Sequence, residues 1–452
     1  MSKNNFQRSR QRKSNSRLSR KVLILSLVVI LTTLGLVSAR IRNSRFVASN
    51  TVESPAPSGF EHGNPAKEYI YAGNRLIATE EPLATPTPTP TPYPPCTPPT
   101  GIIISEFRLR GALGGGDEFV ELYNNTDQVL TICTADGSNG WAVASSDAVV
   151  RFVIPYNTAI PARGHYLAVG SGYSLSSYAS GDLTLNSDSP DNKGLALFNT
   201  ANPANFNVGN IRDAAGFTTD GSLYREGSGL QPIGVGNGEY SFARKLNSGL
   251  PQDTGSNAAD FVFVATDAGT YGGVAAILGA PAPENLASPI QRNAAIKATL
   301  IDPAVSSAAP PNRVRDTTAV GPNAALGTLV IRRQFTNNTG GPVTRLRFRI
   351  VDVTTLNTPG YVPGGSQADM RALDSSNITV TLTDGTPVLV QGTTVELPPT
   401  QPNGGGLNSS MAVGNITLST PLAAGANVKV QFVLGVQQGG SFRFTVNVEA
   451  LP

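Results

Sequence analysis

From residue 99 onward the sequence is a series of short apolar runs separated by turns, and this pattern limits the chain to an all-β fold. Runs such as "GIIISEFRLRG", "AVVRFVI" and "DFVFVAT" are rich in β-branched and aromatic residues and shorter than ordinary helices. Glycine (47 residues) and proline (34 residues) supply the turns between such runs. Short strands joined in this way predict antiparallel β-sandwiches, the first over residues 99–290.

The strand pattern resumes after "APAPENLASP" and predicts a second antiparallel β-sandwich over residues 291–452. The last run, "SFRFTVNVEAL", shows the clearest alternation, because Phe442, Phe444 and Val446 alternate with polar residues. Such alternation is typical of a strand with one buried face. We recognise no family in this part of the sequence.

A basic tail, residues 1–21, precedes an uncharged run over residues 22–39, "VLILSLVVILTTLGLVSA". As a helix, this run would be about 27 Å long, which is close to the roughly 30 Å of a hydrocarbon core. Basic residues favour the cytoplasmic side, so we expect everything after residue 40 to lie outside the membrane. Two interpretations stay open: a single-pass transmembrane anchor, or a signal peptide that is cleaved after Ala39.

Residues 40–98 are predicted to be a disordered leader and spacer, since "TPTPTPTPYPP" prefers extended polyproline II over regular hydrogen-bonded structure. The only two cysteines of the chain, Cys96 and Cys133, lie at the end of this spacer and after the next strand pair. In an exported protein an even number of cysteines is expected to pair, which predicts a disulfide here. Two free thiols are the alternative.

Several short sequence segments within residues 99–290 resemble, in the same order, segments of the lamin tail domain in its bacterial, exported form. They are "IIISEF", "GGGDEFVELYNNTDQVLTI", "LTLNSDSPDNKGLALFN", "IRDAAGF", "YSFARK", "SNAADFVF" and "LGAPAPEN". The chain departs from the family in a longer middle segment, about residues 200–238, and in Cys133. The resemblance implies an immunoglobulin-like sandwich that serves as a binding or tethering module, with no catalytic residues to carry over.

The distribution of charge argues against a nucleic-acid partner. Residues 100–290 contain 9 Lys and Arg against 18 Asp and Glu, an excess of nine negative charges that would repel phosphates. Residues 1–99 (13 against 5) and 291–452 (12 against 8) are basic. The expected partners are the membrane, through residues 22–39, and an anionic envelope polymer or another protein, the anionic polymer being suggested by the arginine-rich strand considered below.

Three carboxylates in "DEFVELY" raise the question of acid–base catalysis. Side chains alternate along a strand, so Glu118 and Glu121 point to opposite faces and cannot form a paired acid site. We expect both, together with Asp117 at the strand entry, to be solvent-side or strand-end charges. His165 is one of only two histidines, and no hydrolase or metalloprotease motif surrounds it, so we expect a surface residue.

Two further groups of residues are candidate binding sites. The turn "LNSDSPDNKG" contains four oxygen donors suited to Ca2+, although these residue types are also ordinary turn formers. The four are Asn186, Asp188, Asp191 and Asn192. In "TRLRFRIVDV", Arg345, Arg347 and Arg349 share one face of a strand. This face is either a solvated surface or a site that binds anions, whether an envelope polymer or the acidic domain next door.

These observations favour a non-enzymatic protein of the cell surface or the exterior that binds or tethers. The alternative is a hydrolase of envelope or extracellular polymers with its site in the C-terminal domain. Residues 291–452 contain neither His nor Cys, which leaves only Asp and Glu for acid–base work there. A spacer that merely presents the C-terminus is the third interpretation. No cofactor is predicted besides the Ca2+ considered above.

Overall fold

The computed structural model describes residues 68–72, 75–80 and 93–452. The structure is 41% strand and 2% helix, with several antiparallel sheets, so the prediction of an all-β sandwich fold is confirmed. Contacts divide the chain into two units, Met1–Pro90 and Thr91–Pro452.

The described part of the first unit is a β-hairpin. Strand β1 (Glu68–Ala72) pairs antiparallel with strand β2 (Arg75–Glu80). Regular structure therefore occurs within the segment 40–98, for which the sequence predicts none. The predicted hydrophobic segment, residues 22–39, lies outside the described residues, and no helix among the described residues is long and apolar enough to span a membrane.

The second unit begins with seventeen strands that we call the first sandwich. They are β3 (Ile102–Arg108), β4 (Phe119–Asn124), β5 (Leu130–Thr131), β6 (Gly140–Ser145), β7 (Val150–Pro155), β8 (Ala159–Ile160), β9 (His165–Val169), β10 (Leu183–Thr184), β11 (Leu195–Phe198), β12 (Ile211–Ala215), β13 (Tyr240–Arg244), β14 (Leu246–Asn247), β15 (Leu250–Pro251), β16 (Phe261–Ala265), β17 (Thr270–Tyr271), β18 (Val274–Ala275) and β19 (Ile277–Leu278). A short 3-10 helix, Pro203–Asn205, and one helical turn, α1 (Asn257–Asp260), lie between them.

Two sheets of the first sandwich enclose one core. A seven-stranded sheet has the order β10-β9-β4-β3-β13-β16-β19, and a four-stranded sheet has the order β12-β11-β6-β7. Val120 and Leu122 of β4 meet Trp141 of β6 in the core, because alternate residues of a strand point to the same side. Phe119 points to the opposite side of β4 and belongs to a separate apolar cluster on the outer face of the seven-stranded sheet. Both faces of this sheet are thus covered.

The remaining strands form the second sandwich. They are β20 (Ile290–Gln291), β21 (Ile296–Leu300), β22 (Arg313–Asp316), β23 (Thr328–Asn337), β24 (Arg345–Val353), β25 (Asp369–Leu373), β26 (Ile378–Thr381), β27 (Pro387–Val390), β28 (Thr394–Val395), β29 (Ser410–Ala412), β30 (Asn427–Gln438) and β31 (Phe444–Leu451). One five-stranded sheet has the order β20-β31-β24-β29-β28, and the other has the order β21-β23-β30-β25 with β22 beside β23.

The core of the second sandwich lies between its two five-stranded sheets. Leu346 and Phe348 of β24 pack there with Phe432 of β30. The arginines that alternate with these apolar residues must therefore lie on the outer face of their sheet.

The two sandwiches meet along a surface that we call the seam. Backbone hydrogen bonds cross it: Leu407 N donates to the carbonyl of Leu278 at 2.9 Å, and Ala280 N donates to that of Leu407 at 3.2 Å. Gly279 lies beside Leu407, and a Cβ atom on it would lie 2.1 Å from the Leu407 carbonyl oxygen. Only glycine therefore allows this close approach of the two chains.

Candidate functional site

The seam contains a group of buried ionisable side chains that we call the seam cluster. Its members are Glu106, Glu121, His165, Glu284, Arg347, Arg349 and Glu449. None is more than 7% exposed to solvent. Charged residues are rarely buried this far unless they are paired, so the contacts of each member decide what the cluster can do.

Neighbouring strands of the first sandwich position Glu121 and His165. β4 and β9 are antiparallel, with Tyr123 opposite His165 and Glu121 opposite Leu167, so both side chains lie on the outer face of the sheet. His165 Nε2 lies 4.0 Å from Glu121 Oε1 and 3.1 Å from Glu284 Oε2. Glu284 belongs to the segment between β19 and β20, which leads from the first sandwich to the second.

The second sandwich supplies two arginines and one carboxylate. Arg347 and Arg349 of β24 both pair with Glu449 of the adjacent β31, where their Nε atoms donate over 2.7 Å and 2.9 Å. Both arginines also pair with Glu284: Arg349 Nη2 lies 3.0 Å from Glu284 Oε2, and Arg347 Nη2 contacts Glu284 Oε1. Each guanidinium group thus lies between two carboxylates, one from each side of the seam.

Glu106 and Glu121 of the first sandwich accept hydrogen bonds from neutral donors. Glu106 accepts from Ser241 Oγ at 2.6 Å and from Asn408 Nδ2, across the seam, at 3.1 Å. Glu121 accepts from the backbone N–H of Glu284 at 2.5 Å and from the Ser105 hydroxyl. These donors fix the orientation of both carboxyl groups.

Burial raises the pKa values of three acids of the cluster, and the nearby guanidinium groups lower them. Burial raises the pKa of Glu106, and burial together with the charge of Glu106 raises the pKa of Glu121 well above its ordinary value. Burial would raise the pKa of Glu449 as well, but the adjacent guanidinium groups outweigh it and lower that pKa. Burial lowers the pKa of His165 to about 3, so the imidazole is neutral at ordinary pH.

A cavity of about 60 Å3 lies within the seam and is lined by residues of both sandwiches, including Ser105, Glu121, His165, Glu284 and Arg349. It exceeds the roughly 10–15 Å3 that one water molecule requires. His165 borders it, and the Nδ1 atom of this side chain has no hydrogen-bond partner among the described residues. The cluster therefore combines a small polar cavity with an unpaired imidazole nitrogen.

The structure corrects the expectation that the carboxylates of "DEFVELY" are solvent-side. Asp117, Glu118 and Glu121 are at most 4% exposed, and His165, predicted to be on the surface, is also buried. Asp117 pairs with the buried Arg108, and Glu118 accepts from the Ser189 N–H at 3.0 Å. Glu118 and Glu121 do point to opposite faces, but Glu118 is buried against the segment around Ser189, and the second sandwich covers the face that carries Glu121.

The structure places the arginines of "TRLRFRIVDV" at the seam. Arg347 and Arg349 are buried against Glu284, so the interpretation as a solvated face is wrong for these two, and their guanidinium groups are not available to a polymer. Arg345 is the exception, with 41% of its side chain exposed and a 2.7 Å contact to Glu396. The anionic partner of Arg347 and Arg349 on the other side of the seam is Glu284, in the segment that leads from the first sandwich to the second.

Two of the four predicted calcium ligands contact residues outside their turn. Asp191 pairs with Arg110 at 2.9 Å. Asn192 accepts from the Ile233 N–H at 2.8 Å and donates to the Gly234 carbonyl at 3.1 Å. Asn186 and Asp188 are exposed. The site stays a prediction, and the side chains of two of its four members already have partners elsewhere in the first sandwich.

The structure places Cys96 and Cys133 in a disulfide, with their Cα atoms 6.1 Å apart. A backbone hydrogen bond beside the disulfide also joins the two segments, because Cys96 N donates to the Thr134 carbonyl at 3.0 Å. Nearby, the rings of Tyr93 and Tyr156 stack with centroids 4.6 Å apart. The end of the Pro/Thr-rich spacer is therefore fastened to the first sandwich.

The chain matches no family model, no curated protein and no solved structure. The resemblance of residues 99–290 to lamin tail domains accordingly stays a prediction.

Proposed function

We propose that the protein is a non-enzymatic binding or tethering protein, at the cell surface or secreted, that displays a lamin-tail-like domain outside the membrane. The order of its segments supports this proposal: a basic tail, the hydrophobic residues 22–39, a Pro/Thr-rich spacer and then two sandwiches. A spacer of this composition is semi-rigid and would hold the sandwiches away from a membrane surface.

The observation that carries the proposal is the burial of the seam cluster. The ionisable groups of the seam cluster are buried and contact one another across the seam, while backbone hydrogen bonds link Leu278 and Leu407. Buried and mutually paired groups join two domains rather than offer acid–base groups to a polymeric substrate. The two sandwiches then act as one body, and binding falls to the exposed loops at their surface.

The disulfide supports the placement outside the membrane. Disulfides form and persist in oxidising compartments and are rare in a reducing cytoplasm. The Cys96–Cys133 bond lies in the part of the chain that follows the predicted membrane segment.

Protease accessibility tests the location. Intact cells that express the full chain with a C-terminal tag are treated with an external protease, and a tagged cytoplasmic protein serves as the control. We expect the tag to be lost from this protein and kept on the control. A variant with Val28→Arg and Val29→Arg interrupts the hydrophobic segment, and its tag should stay protected. Protection of the wild-type tag until lysis would contradict export.

Binding is tested separately. The full-length protein in mild detergent is incubated with envelope fractions and collected by centrifugation, with and without added salt. Saturable retention supports a binding or tethering protein. Equal recovery with and without envelope material would leave only the role of a spacer, and turnover of envelope glycans or esters would favour the hydrolase.

A further inference from the structure

The charges of the seam cluster cancel only when two of its four acids are protonated. Four carboxylates (Glu106, Glu121, Glu284 and Glu449) face two guanidinium groups (Arg347 and Arg349). Arg345 and Glu396 at the edge of the cluster pair with each other and add nothing to the balance. When all four acids are ionised, two negative charges remain, which equals the charge of one divalent cation.

Three donor atoms of the cluster are close enough to share one ion. Side-chain donor atoms of Glu121, His165 and Glu284 all lie within 4.8 Å of one another, and all three residues are buried. His165 Nε2 is 3.1 Å from Glu284 Oε2 and 4.0 Å from Glu121 Oε1. A tetrahedral ion with bonds of about 2.0–2.2 Å holds its ligand atoms about 3.3–3.6 Å apart. Small side-chain movements would therefore complete the site.

The surroundings of the three donors also point to a bound ion. The His165 imidazole is 93% buried, given an exposure of 7%, and its Nε2 atom faces Glu284 and Glu121. The cavity of about 60 Å3 borders all three residues and leaves room for a water molecule as a fourth ligand.

We propose that Glu121, His165 and Glu284 form a binding site for a divalent transition-metal ion, with Zn2+ the best match. An imidazole with two carboxylates suits Zn2+, whereas Ca2+ and Mg2+ prefer oxygen donors alone. The ion would tie β4 and β9 of the first sandwich to the segment that leads to the second.

The surrounding groups supply the support that metal ligands need. The Ser105 hydroxyl and the Glu284 N–H hold the Glu121 carboxylate, and the two guanidinium groups hold that of Glu284. Such outer contacts orient ligands and strengthen metal binding. Arg347 and Arg349 are the competing cations: Arg347 contacts Glu284 Oε1, and Arg349 Nη2 lies 3.0 Å from Glu284 Oε2. Both would remain as outer partners of that carboxylate. This proposal does not depend on the function proposed above.

Metal titration tests the site. The full-length protein in mild detergent is stripped with EDTA, dialysed and titrated with Zn2+, and the bound metal and the melting temperature are measured. We expect one ion per chain and a higher melting temperature. His165→Gln and Glu121→Gln should each weaken binding by at least about tenfold. The control is Glu118→Gln, which changes a buried acid that directly precedes β4 and faces the other way, and it should bind like wild type.

A second readout separates loss of a ligand from loss of the fold. Co2+ in place of Zn2+ should give visible absorption bands in wild type and in Glu118→Gln, and weaker bands in the two ligand variants. Circular dichroism of the metal-free proteins checks folding, and either ligand variant alone suffices if the other does not fold. Failure of the folded wild type to bind Zn2+, or binding that both ligand variants retain, would overturn the proposal.

Discussion

Arg349 Nη2 lies 3.0 Å from Glu284 Oε2, which joins a strand of the second sandwich to the segment that leads out of the first. Both side chains are at most 8% exposed. Removing one member of a buried ion pair leaves the other charge without compensation, at a cost of about 3–5 kcal/mol. We therefore expect Arg349→Met to lower the free energy of unfolding by about that amount in chemical denaturation with EDTA present.

Arg443 offers the matched control for this substitution. It pairs with Asp352 at 3.0 Å, but the two side chains are 52% and 44% exposed. Exposed pairs contribute about 0–1 kcal/mol, so Arg443→Met should change the free energy of unfolding by no more than that. Equal effects of the two substitutions would show that burial at the seam does not strengthen the Arg349 contacts.

Gly279 should be essential to the joint between the sandwiches. Alanine there would place Cβ 2.1 Å from the Leu407 carbonyl oxygen, so the backbones must separate. Overpacking of this kind costs about 1–3 kcal/mol, and we expect Gly279→Ala to lower the melting temperature and to speed proteolysis at the seam. Gly221→Ala is the control, because nothing lies within 4 Å of its added Cβ. Equal proteolysis of the two variants would refute the role of Gly279.

Glu118 should make stability fall as pH rises. Burial raises its pKa from 4.5 to about 8. Between these values the folded protein keeps a proton that the unfolded chain has lost, so the contribution is complete below about pH 4.5 and disappears as pH rises through about 8. Glu118→Gln cannot titrate, and its free energy of unfolding should therefore fall less than that of wild type between pH 5 and pH 8.

Asp136 provides a control of the opposite sign. Burial opposes ionisation, but hydrogen bonds from Thr200, Ser138 and Asn205 prevail and lower its pKa to about 2. Its contribution is present above about pH 4 and lost as pH falls towards 2, so Asp136→Asn should match the wild-type slope between pH 5 and pH 8. A slope for Glu118→Gln identical to those of wild type and Asp136→Asn would mean that Glu118 is ionised in the folded protein.

The disulfide should stabilise the unit that contains it. Cys96 and Cys133 are 37 residues apart, and closing a loop of this length contributes about 3–4 kcal/mol in the chain-entropy model. We expect Cys96→Ser with Cys133→Ser to lower the free energy of unfolding by roughly this amount. In the unreduced wild type, mass spectrometry should find neither cysteine alkylated. Ready alkylation of both would disprove the bond.

Local patterns were sufficient to predict the β-strand character of residues 99–452, but not the hairpin of β1 and β2. The parity of Leu346 and Phe348 indicates which side of β24 faces the core, since alternation is a property of the strand itself. The same parity places the intervening arginines on the outer face. Alternation along a strand does not show whether another domain covers its outer face. For this reason the sequence predicts that Glu121 and His165 face solvent.

The partners within the seam cluster could not be predicted from the sequence. Arg347 and Glu449 are neighbours only because β24 pairs with β31, across about a hundred residues of chain. Glu284 lies in "APAPEN", a proline-rich segment that is typical of a loop leaving a domain. One signal was available: Glu106 in "IIISEF" and Glu449 in "VNVEAL" interrupt apolar strands, and a charge in such a position indicates a buried partner.

The disulfide also determines how the chain responds to mechanical force. Tension applied from the N-terminal side reaches Cys96 and passes through the covalent bond to Cys133. Strands β3, β4 and β5 lie between these two positions, so they cannot be pulled out from that end while the bond is intact. At roughly 3.3–3.6 Å per residue, the separation of 37 residues between the two cysteines would add about 120–130 Å to the extended chain, and the bond prevents this extension. Reduction would release this length, which makes the stretch that the chain tolerates under load dependent on the redox state of its surroundings.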